Sequence, residues 1–326
     1  MYGTHTFSTE CINALTRYDK INSYTIYTQT EIDKLPGFVN IRKIWPKRGW
    51  MKIGITTAEL LSRKKNNIFL ALNQSIPLYT SGPIIGFIHG LSFALYPQLY
   101  PDLQKRMHSE LNQLIQRARH IVVSSKKVKS ELLQVFPKRE NIHVIPFGVP
   151  ASYIEKDKSY KRKKFILYVG MNHPIKNISL LVRAFKLLIK KPTYRTYKLI
   201  LAGIGTTPID YYGLPHQYII VVPHAHTSLL KKLYNEAACL AVPSLYESFH
   251  FPTIEALSQG TPVAAHEGAI IPELALFVQT CTNDPKNFCL GLQKCLASPK
   301  KINMKSLHSK FSWRTFAQRV TALYHE

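Results

Sequence analysis

The chain has 326 residues, 45% of them hydrophobic, a length that suggests two domains and a composition that excludes general disorder. Its 43 Lys and Arg against 19 Asp and Glu give a formal charge of +24. The excess is spread over both halves (22 against 11 in residues 1–160, 21 against 8 in 161–326), which fits phosphates, anionic lipid or nucleic acid as partners, or plain solubility.

No run of 18 apolar residues occurs, and the best candidate, Gly82 to Tyr96, is short and interrupted by His89, so no spanning helix is expected. The start lacks a basic segment followed by an apolar one, so no secretory signal is read. Five cysteines (Cys11, Cys239, Cys281, Cys289, Cys295) show no CxxC spacing; reduced, buried thiols and a cytoplasmic location follow.

In chain order, helices are predicted at Ser8–Thr16, Lys105–Arg117 and Lys126–Val135. Strands are predicted at Tyr24–Thr28, Asn67–Leu72, Ile84–His89, His120–Ser125 and Asn141–Pro146. The charged stretch Ile154–Lys164 breaks this rhythm and reads as a linker. The second half restarts with a strand at Phe165–Gly170 and a helix whose apolar stripe is Leu180, Leu181, Ala184, Phe185 and Leu188, with Asn177 as its N-cap. Strands at Tyr197–Gly203, Tyr218–Pro223, Cys239–Ser244 and Thr261–His266 follow, with a helix at Ser228–Ala238. Alternating strands and helices predict an α/β fold with parallel sheets in two domains, residues 1–153 and 164–326.

Ligands of open parallel sheets bind at the carboxyl ends of strands, where helix N-termini point. Three stretches have that form. In "VGMNHPIKN" Gly170 ends a strand and Lys176 precedes a helix, a place for a diphosphate or an ordinary turn with a solvated lysine. In "YESFHFPTIEALSQG" Pro252 opens a helix ending at Gly260. That places Glu255 in the first turn, as a ribose acceptor or a complement to the helix dipole. Glu247 lies in the preceding loop beside Ser248, Phe249, His250 and Phe251, a segment able to wrap a small polar ligand or simply to sit at the surface. In "FIHGLSF" His89 ends a strand, as a catalytic or a structural histidine.

Together these stretches resemble the retaining glycosyltransferases of the GT-B fold, family 4, which includes mannosyltransferases. "FILYVGMNHPIKNISLLVRAFKLL", "YKLILAG", "LYNEAACLAVPSLYESFHFPTIEALSQGTPVAA" and "FSWRTFAQRV" stand in that family's order. So do "YTSGPIIGFIHGLSFALYPQLYP", "ARHIVVSSKKVKSELLQVF" and "NIHVIPFGV" in the first half. The resemblance implies two Rossmann-like domains facing each other across a cleft, with the last helix packing back on the N-terminal domain. It implies Glu247 and His89 beside the donor sugar as catalytic residues and Glu255 on the nucleotide ribose. Lys176 and Gly170 would hold the diphosphate, with the 248–251 loop against the sugar.

The implied reaction moves a hexose from a nucleotide sugar, GDP-mannose marginally favoured by "HPIKN", to an unknown acceptor with retention and without a metal or other cofactor. A lipid-linked acceptor or growing glycan would suit peripheral contact with an anionic cytoplasmic membrane face; nucleic acid is not expected as a partner. Departures are Gly90 where the family keeps aspartate, Met171 and Ile175 where it keeps an arginine, and Ser248 and His250 where it keeps glycines. A non-catalytic nucleotide-sugar-binding relative, or a basic GT-B protein acting on nucleic acid, are the alternative readings. Relatives also open with an apolar strand before the turn that "GTHTFSTECINAL" resembles. Gly3 and Thr4 are therefore expected in a poorly anchored turn lining the cleft, the first sheet is expected to have a gap beside "IIGFIH", and an upstream start is expected in the natural gene.

Overall fold

The structure, a computed structural model, describes residues 2–29, 39–46, 48–62, 67–155, 159–206 and 208–326. Two compact units are present, one of Met1–Gly148 with Ser312–Glu326 and one of Val149–Phe311. The fold class is α/β, with every strand pairing parallel.

The first unit opens with helix α1 (Tyr2–Tyr18). Strands β1 (Tyr24–Thr28) and β2 (Val39–Lys43) pair only with each other. A π-helical turn (Trp50–Ile55) then runs into α2 (Thr56–Leu60). A second sheet follows, in the order β3 (Phe69–Ala71), β4 (Ile84–Ile88), β5 (Ala118–Val123) and β6 (Ile142–Val144). Its connections carry α3 (Ser92–Leu95), α4 (Gln104–Arg117) and α5 (Lys126–Val135), the last capped by the Ser125 hydroxyl.

Two expectations are corrected here. Gly3 and Thr4 do not form a turn: they lie inside α1, which begins six residues before Ser8 because Phe7, Cys11, Ala14 and Leu15 continue one buried stripe at helical spacing. The break between the sheets does not fall beside Ile84–Ile88, since β4 is paired on both sides, with β3 and with β5. The described strands of this unit instead form two separate sheets, β1–β2 and β3–β6.

An aromatic cluster joins the elements of this unit. Phe7 of α1 is fully buried and meets Phe87 of β4 at 5.4 Å, Phe147 at 4.4 Å, Trp313 at 6.3 Å and Phe316 at 6.1 Å between ring centres.

The second unit holds one six-stranded sheet. Strand β7 (Lys163–Val169) begins within the stretch expected to be a linker, of which residues 156–158 lie outside the described set. Then come α6 (Ile178–Ile189), β8 (Lys198–Ala202), β9 (Ile219–Val222), α7 (Thr227–Glu236), β10 (Ala237–Val242), α8 (Phe251–Ser258), β11 (Val263–His266), β12 (Gln279–Cys281), α9 (Pro285–Ala297) and α10 (Met304–Lys310). Helix α11 (Trp313–Ala322) returns to the first unit. The strand order is β12-β11-β10-β7-β8-β9. The chain thus leaves β7 in one direction and comes back beside it from the other, so the β7/β10 junction is a topological switch point with a crevice at its carboxyl end. Helix α6 covers one face with an almost wholly apolar surface, Leu180, Leu181, Ala184, Phe185 and Leu188 all fully buried.

Arg162 fastens the opposite end of this sheet. Its guanidinium donates to the carbonyls of Tyr234 (2.6 Å), Asn235 (2.8 Å), Ala237 (2.9 Å) and Gln259 (3.2 Å) and to the Thr261 hydroxyl (2.7 Å). These are the carbonyls left over at the ends of α7 and α8, where a cation also opposes both helix dipoles.

Replacing Phe7 with Ala should destabilise the protein by about 3–5 kcal/mol, the usual cost of emptying an aromatic core site. Denaturant unfolding followed through tryptophan fluorescence checks this, and a loss below ~1 kcal/mol would remove Phe7 from the centre of the first unit's core.

Candidate active site at the β7/β10 switch point

The two loops leaving the switch point are tied together before any side chain is considered. The Leu245 N–H, after β10, donates to the Ile175 carbonyl, after β7, at 2.8 Å. His266, ending β11, holds the Ser244 carbonyl at 3.0 Å. Gly170 is required by space, since a Cβ there would come within 2.8 Å of the Tyr168 hydroxyl oxygen, which donates to the Met171 carbonyl.

On this frame Lys176 and Glu247 meet. The ammonium lies 2.7 Å from Glu247 Oε1, with both side chains largely buried. Burial alone would raise the Glu247 carboxyl, but the charge and hydrogen bond of Lys176, with His250 beside it, hold it below its ordinary value. His250 comes in from the N-cap of α8 with φ 62°, a left-handed backbone that few residues other than glycine adopt. Its ring is bonded to the Thr253 hydroxyl at 2.7 Å, and its Nε2 is 3.6 Å from the Glu247 oxygen that Lys176 also contacts. Burial outweighs Glu247 and pushes this imidazole down to about 4, so it is neutral at physiological pH. Phe249 and Phe251, both buried, pack edge to face at 5.2 Å and close the loop from below. Ser248 lies half-buried between them and Glu247 in the chain.

Glu255 departs from its expected place. Helix α8 starts at Phe251 with Pro252 as its second residue, which moves Glu255 out of the first turn. It is buried, and one oxygen accepts the Tyr234 hydroxyl at 2.8 Å. Asn177 also differs: it precedes α6 in the left-handed region at φ 50° and gives no side-chain cap, its amide donating to Asn283 instead. Sequence reasoning missed Tyr234, Thr253 and Arg162. A signal for the first existed: a tyrosine on the apolar stripe of α7 must find a partner for its hydroxyl once buried.

In the first unit, His89 follows β4. Its Nε2 bonds the Leu72 carbonyl at 2.7 Å, and its ring meets Phe7 edge-on at 4.6 Å. Burial lowers its pKa, offset in part by that bond. The Leu72 carbonyl can only accept, so Nε2 carries the proton and Nδ1 remains an acceptor. Among the described residues, His120, His143 and Glu326 form the group of three whose ligand atoms converge enough to hold a metal ion. Arg119, Arg139, Lys129 and Arg319 act on the two histidines, a cationic setting that opposes a metal there.

Residues 163–297 match the family described as glycosyl transferases group 1. Among curated proteins, the MMP alpha-(1->4)-mannosyltransferase of Mycolicibacterium hassiacum is 26% identical over 70% of this chain and 57% of its own. O-antigen chain mannosyltransferase B of Escherichia coli is 27% identical over 64% and 59%. A glycosyltransferase of Methanocaldococcus jannaschii, itself uncharacterised, is 24% identical over 74% and 69%. The chain thus spans little more than half the length of the first two. Solved structures give the fold: WaaG, a glycosyltransferase involved in lipopolysaccharide biosynthesis, at TM-score 0.69 and 12% identity over 98% of this chain and 92% of its own. Anabaena HepE, in complex with UDP, aligns at 0.67 and 14% over 97% and 95%. The fold is thus the GT-B fold of these solved glycosyltransferases, and residues 163–297 are the part of the chain that matches the glycosyl transferases group 1 family.

A histidine whose folded pKa is depressed stabilises the fold fully above its unfolded value of about 6.5. That stability is lost as pH falls toward the folded value of about 4. Across that window the His250 contribution should fall by at most on the order of 3 kcal/mol. His250→Asn keeps a residue that tolerates the left-handed region and should flatten this part of the profile relative to wild type. Parallel profiles of the two proteins would remove His250 as the buried titrating group.

Proposed function

We propose that this protein transfers a hexose from a nucleoside diphosphate sugar to an acceptor hydroxyl with retention of configuration and without a metal cofactor. The observation that carries the reading is the Lys176–Glu247 pair held at the carboxyl end of the β7/β10 switch point, with Glu255 on the helix that follows. An ammonium has three N–H donors. Glu247 takes one, which leaves donors for the oxygens of a diphosphate leaving group. A fixed cation at that point stabilises the charge that develops as the sugar–phosphate bond breaks. Glu247 supplies the complementary negative charge beside an oxocarbenium-like sugar, and Lys176 keeps it ionised and oriented. Glu255, whose carboxylate accepts the Tyr234 hydroxyl, is the candidate acceptor for a ribose hydroxyl.

No arginine stands beside Lys176 in its loop: Ile175 is buried and Met171 turns its carbonyl to Tyr168. The lysine is therefore the cation this loop offers a diphosphate. His89, with Nδ1 left to accept, is the first unit's candidate for the donor sugar hydroxyls. The relatives named as mannosyltransferases support mannose as the sugar; the donor we propose is GDP-mannose, the one the "HPIKN" stretch favours, with a lipid-linked or growing glycan as acceptor.

Calorimetry against UDP, GDP, ADP and their sugars, followed by proton NMR of the anomeric product, tests the whole reading. Binding of a nucleotide sugar without transfer or hydrolysis would leave a donor-binding relative rather than an enzyme. Lys176→Ala should weaken nucleoside diphosphate binding by about 1.5–3 kcal/mol, the scale of a charge-assisted hydrogen bond, and leave nucleoside binding unchanged.

The two glutamates should separate in the same assays. Glu255→Gln should weaken nucleotide and nucleoside alike, whereas Glu247→Gln should depress transfer with diphosphate binding retained. Identical effects of both substitutions on binding and transfer would defeat this division of roles.

A further inference from the structure

Lys176 is the last residue of a single 3-10 turn, Pro174–Lys176, and the histidine before that turn takes no part in the chemistry above. The middle residue, Ile175, is held on three sides. Its side chain is buried, and its carbonyl accepts the Leu245 N–H at 2.8 Å. Its own N–H donates to His173 Nδ1 at 3.2 Å. The Lys176 N–H in turn donates to the His173 carbonyl at 2.8 Å. Two of these three hydrogen bonds run from backbone to backbone. The third needs the His173 side chain.

The ring is suited to that bond. A backbone N–H can only donate, so Nδ1 accepts and the neutral ring carries its proton on Nε2. Burial first, and the Lys176 ammonium second, hold this imidazole below its ordinary pKa. It is therefore uncharged at neutral pH and keeps its acceptor. The backbone of His173 is extended, at φ −135° and ψ 143°, which the following proline imposes and a capping residue requires. His173 does for this turn what asparagine or serine does at a helix start: it satisfies an N–H that the turn leaves over. Without the ring that N–H has to turn toward another partner, and Ile175 is bonded directly to the residue whose ammonium lies 2.7 Å from Glu247.

We infer that His173 is a positioning residue of the donor site, which fixes the Pro174–Lys176 turn through Nδ1 and so aims the Lys176 ammonium at a diphosphate. The inference rests on the reading of Lys176 as the cation for that group. A lysine on a loose turn loses backbone and side-chain freedom when an anion binds, whereas one on a fixed turn is ordered beforehand.

Calorimetry at neutral pH with GDP, UDP, guanosine and uridine tests it on the full chain, with thermal unfolding followed in parallel. His173→Ala should weaken both diphosphates about three- to tenfold, the effect of losing one cap, and leave both nucleosides unchanged. His173→Asn should recover most of that loss, because its side-chain oxygen stands where Nδ1 stood and accepts the N–H two residues on. His173→Gln places its oxygen one bond further out, near the place of Nε2, and should behave like the alanine variant; it also serves if the alanine variant unfolds. In a Lys176→Ala background, His173→Ala should have no further effect, since a positioning residue acts through the group it positions. Undiminished diphosphate binding in the alanine and glutamine variants would overturn the inference, as would an equal loss of nucleoside or no recovery by asparagine. Additive losses in the double variant would also overturn it, making His173 an independent contact. The two readings fail differently. If Lys176→Ala leaves diphosphate binding unchanged, the assignment of the lysine falls and this inference with it. If Lys176→Ala weakens binding and the His173 variants do not, this inference alone is wrong.

Discussion

The ion pair between Lys176 and Glu247 depends on one feature of topology. Both residues follow strands, but β7 and β10 are separated by two strands and two helices in sequence and become neighbours only because the chain reverses at β7. Sheet pairing aligns Leu240 with Leu167, which brings the two loops out at one level, and the Leu245–Ile175 bond sets their spacing. A pair this buried, about 10% exposed at the carboxylate and 20% at the ammonium, gains little net stability, because desolvation offsets most of the attraction. Removing one partner is different: it strands a charge in a poor dielectric. The site is thereby kept charged and ordered ahead of any ligand, the condition for electrostatic preorganisation.

His250 shows how such a site is tuned by shape as well as charge. A glycine at φ 62° would be unstrained, yet histidine stands there with its ring turned inward against Glu247. The strain is held by the Thr253 hydroxyl and the buried loop around it. A neutral imidazole beside the carboxylate adds a polar wall without neutralising its charge.

Much of this was legible in the sequence because the second unit's strands are buried on both faces and so appear as unbroken apolar runs, as in Phe165–Val169 and Leu199–Ala202. The signal failed at two strands. Val39–Lys43 alternates weakly and is charged, and Gln279–Cys281 has three residues on an edge. The carboxylates were found from their spacing, but their settings were not. A Pro read as the first helical residue turned out to be the second, and the charged acceptor expected at a helix start lies deeper, bonded to a tyrosine that comes from another helix. Helix phase and long-range partners are tertiary facts, and local pattern carries them only when a polar group is so placed that it must be satisfied.

The distribution of charge follows the same logic and connects the two units' chemistry. Among the described residues, the buried charged side chains are Asp19, Glu59, Glu236, Glu247 and Glu255, and no lysine or arginine is among them. Each of these carboxylates has a hydrogen-bond or ion-pair partner: Asp19 takes Ile21, Asn22 and Tyr24, Glu59 takes Tyr27 and Ser81, and Glu236 takes Lys163. Withdrawing five of 19 acidic groups from a chain of +24 leaves an outer surface more cationic than composition alone implies. The same carboxylates that organise the interior, and in the second unit make the site, are thus unavailable to neutralise the surface. That field raises the local concentration of anions around every basic loop. Selectivity among anions must then come from places where a cation is fixed by geometry, as Lys176 is by Glu247.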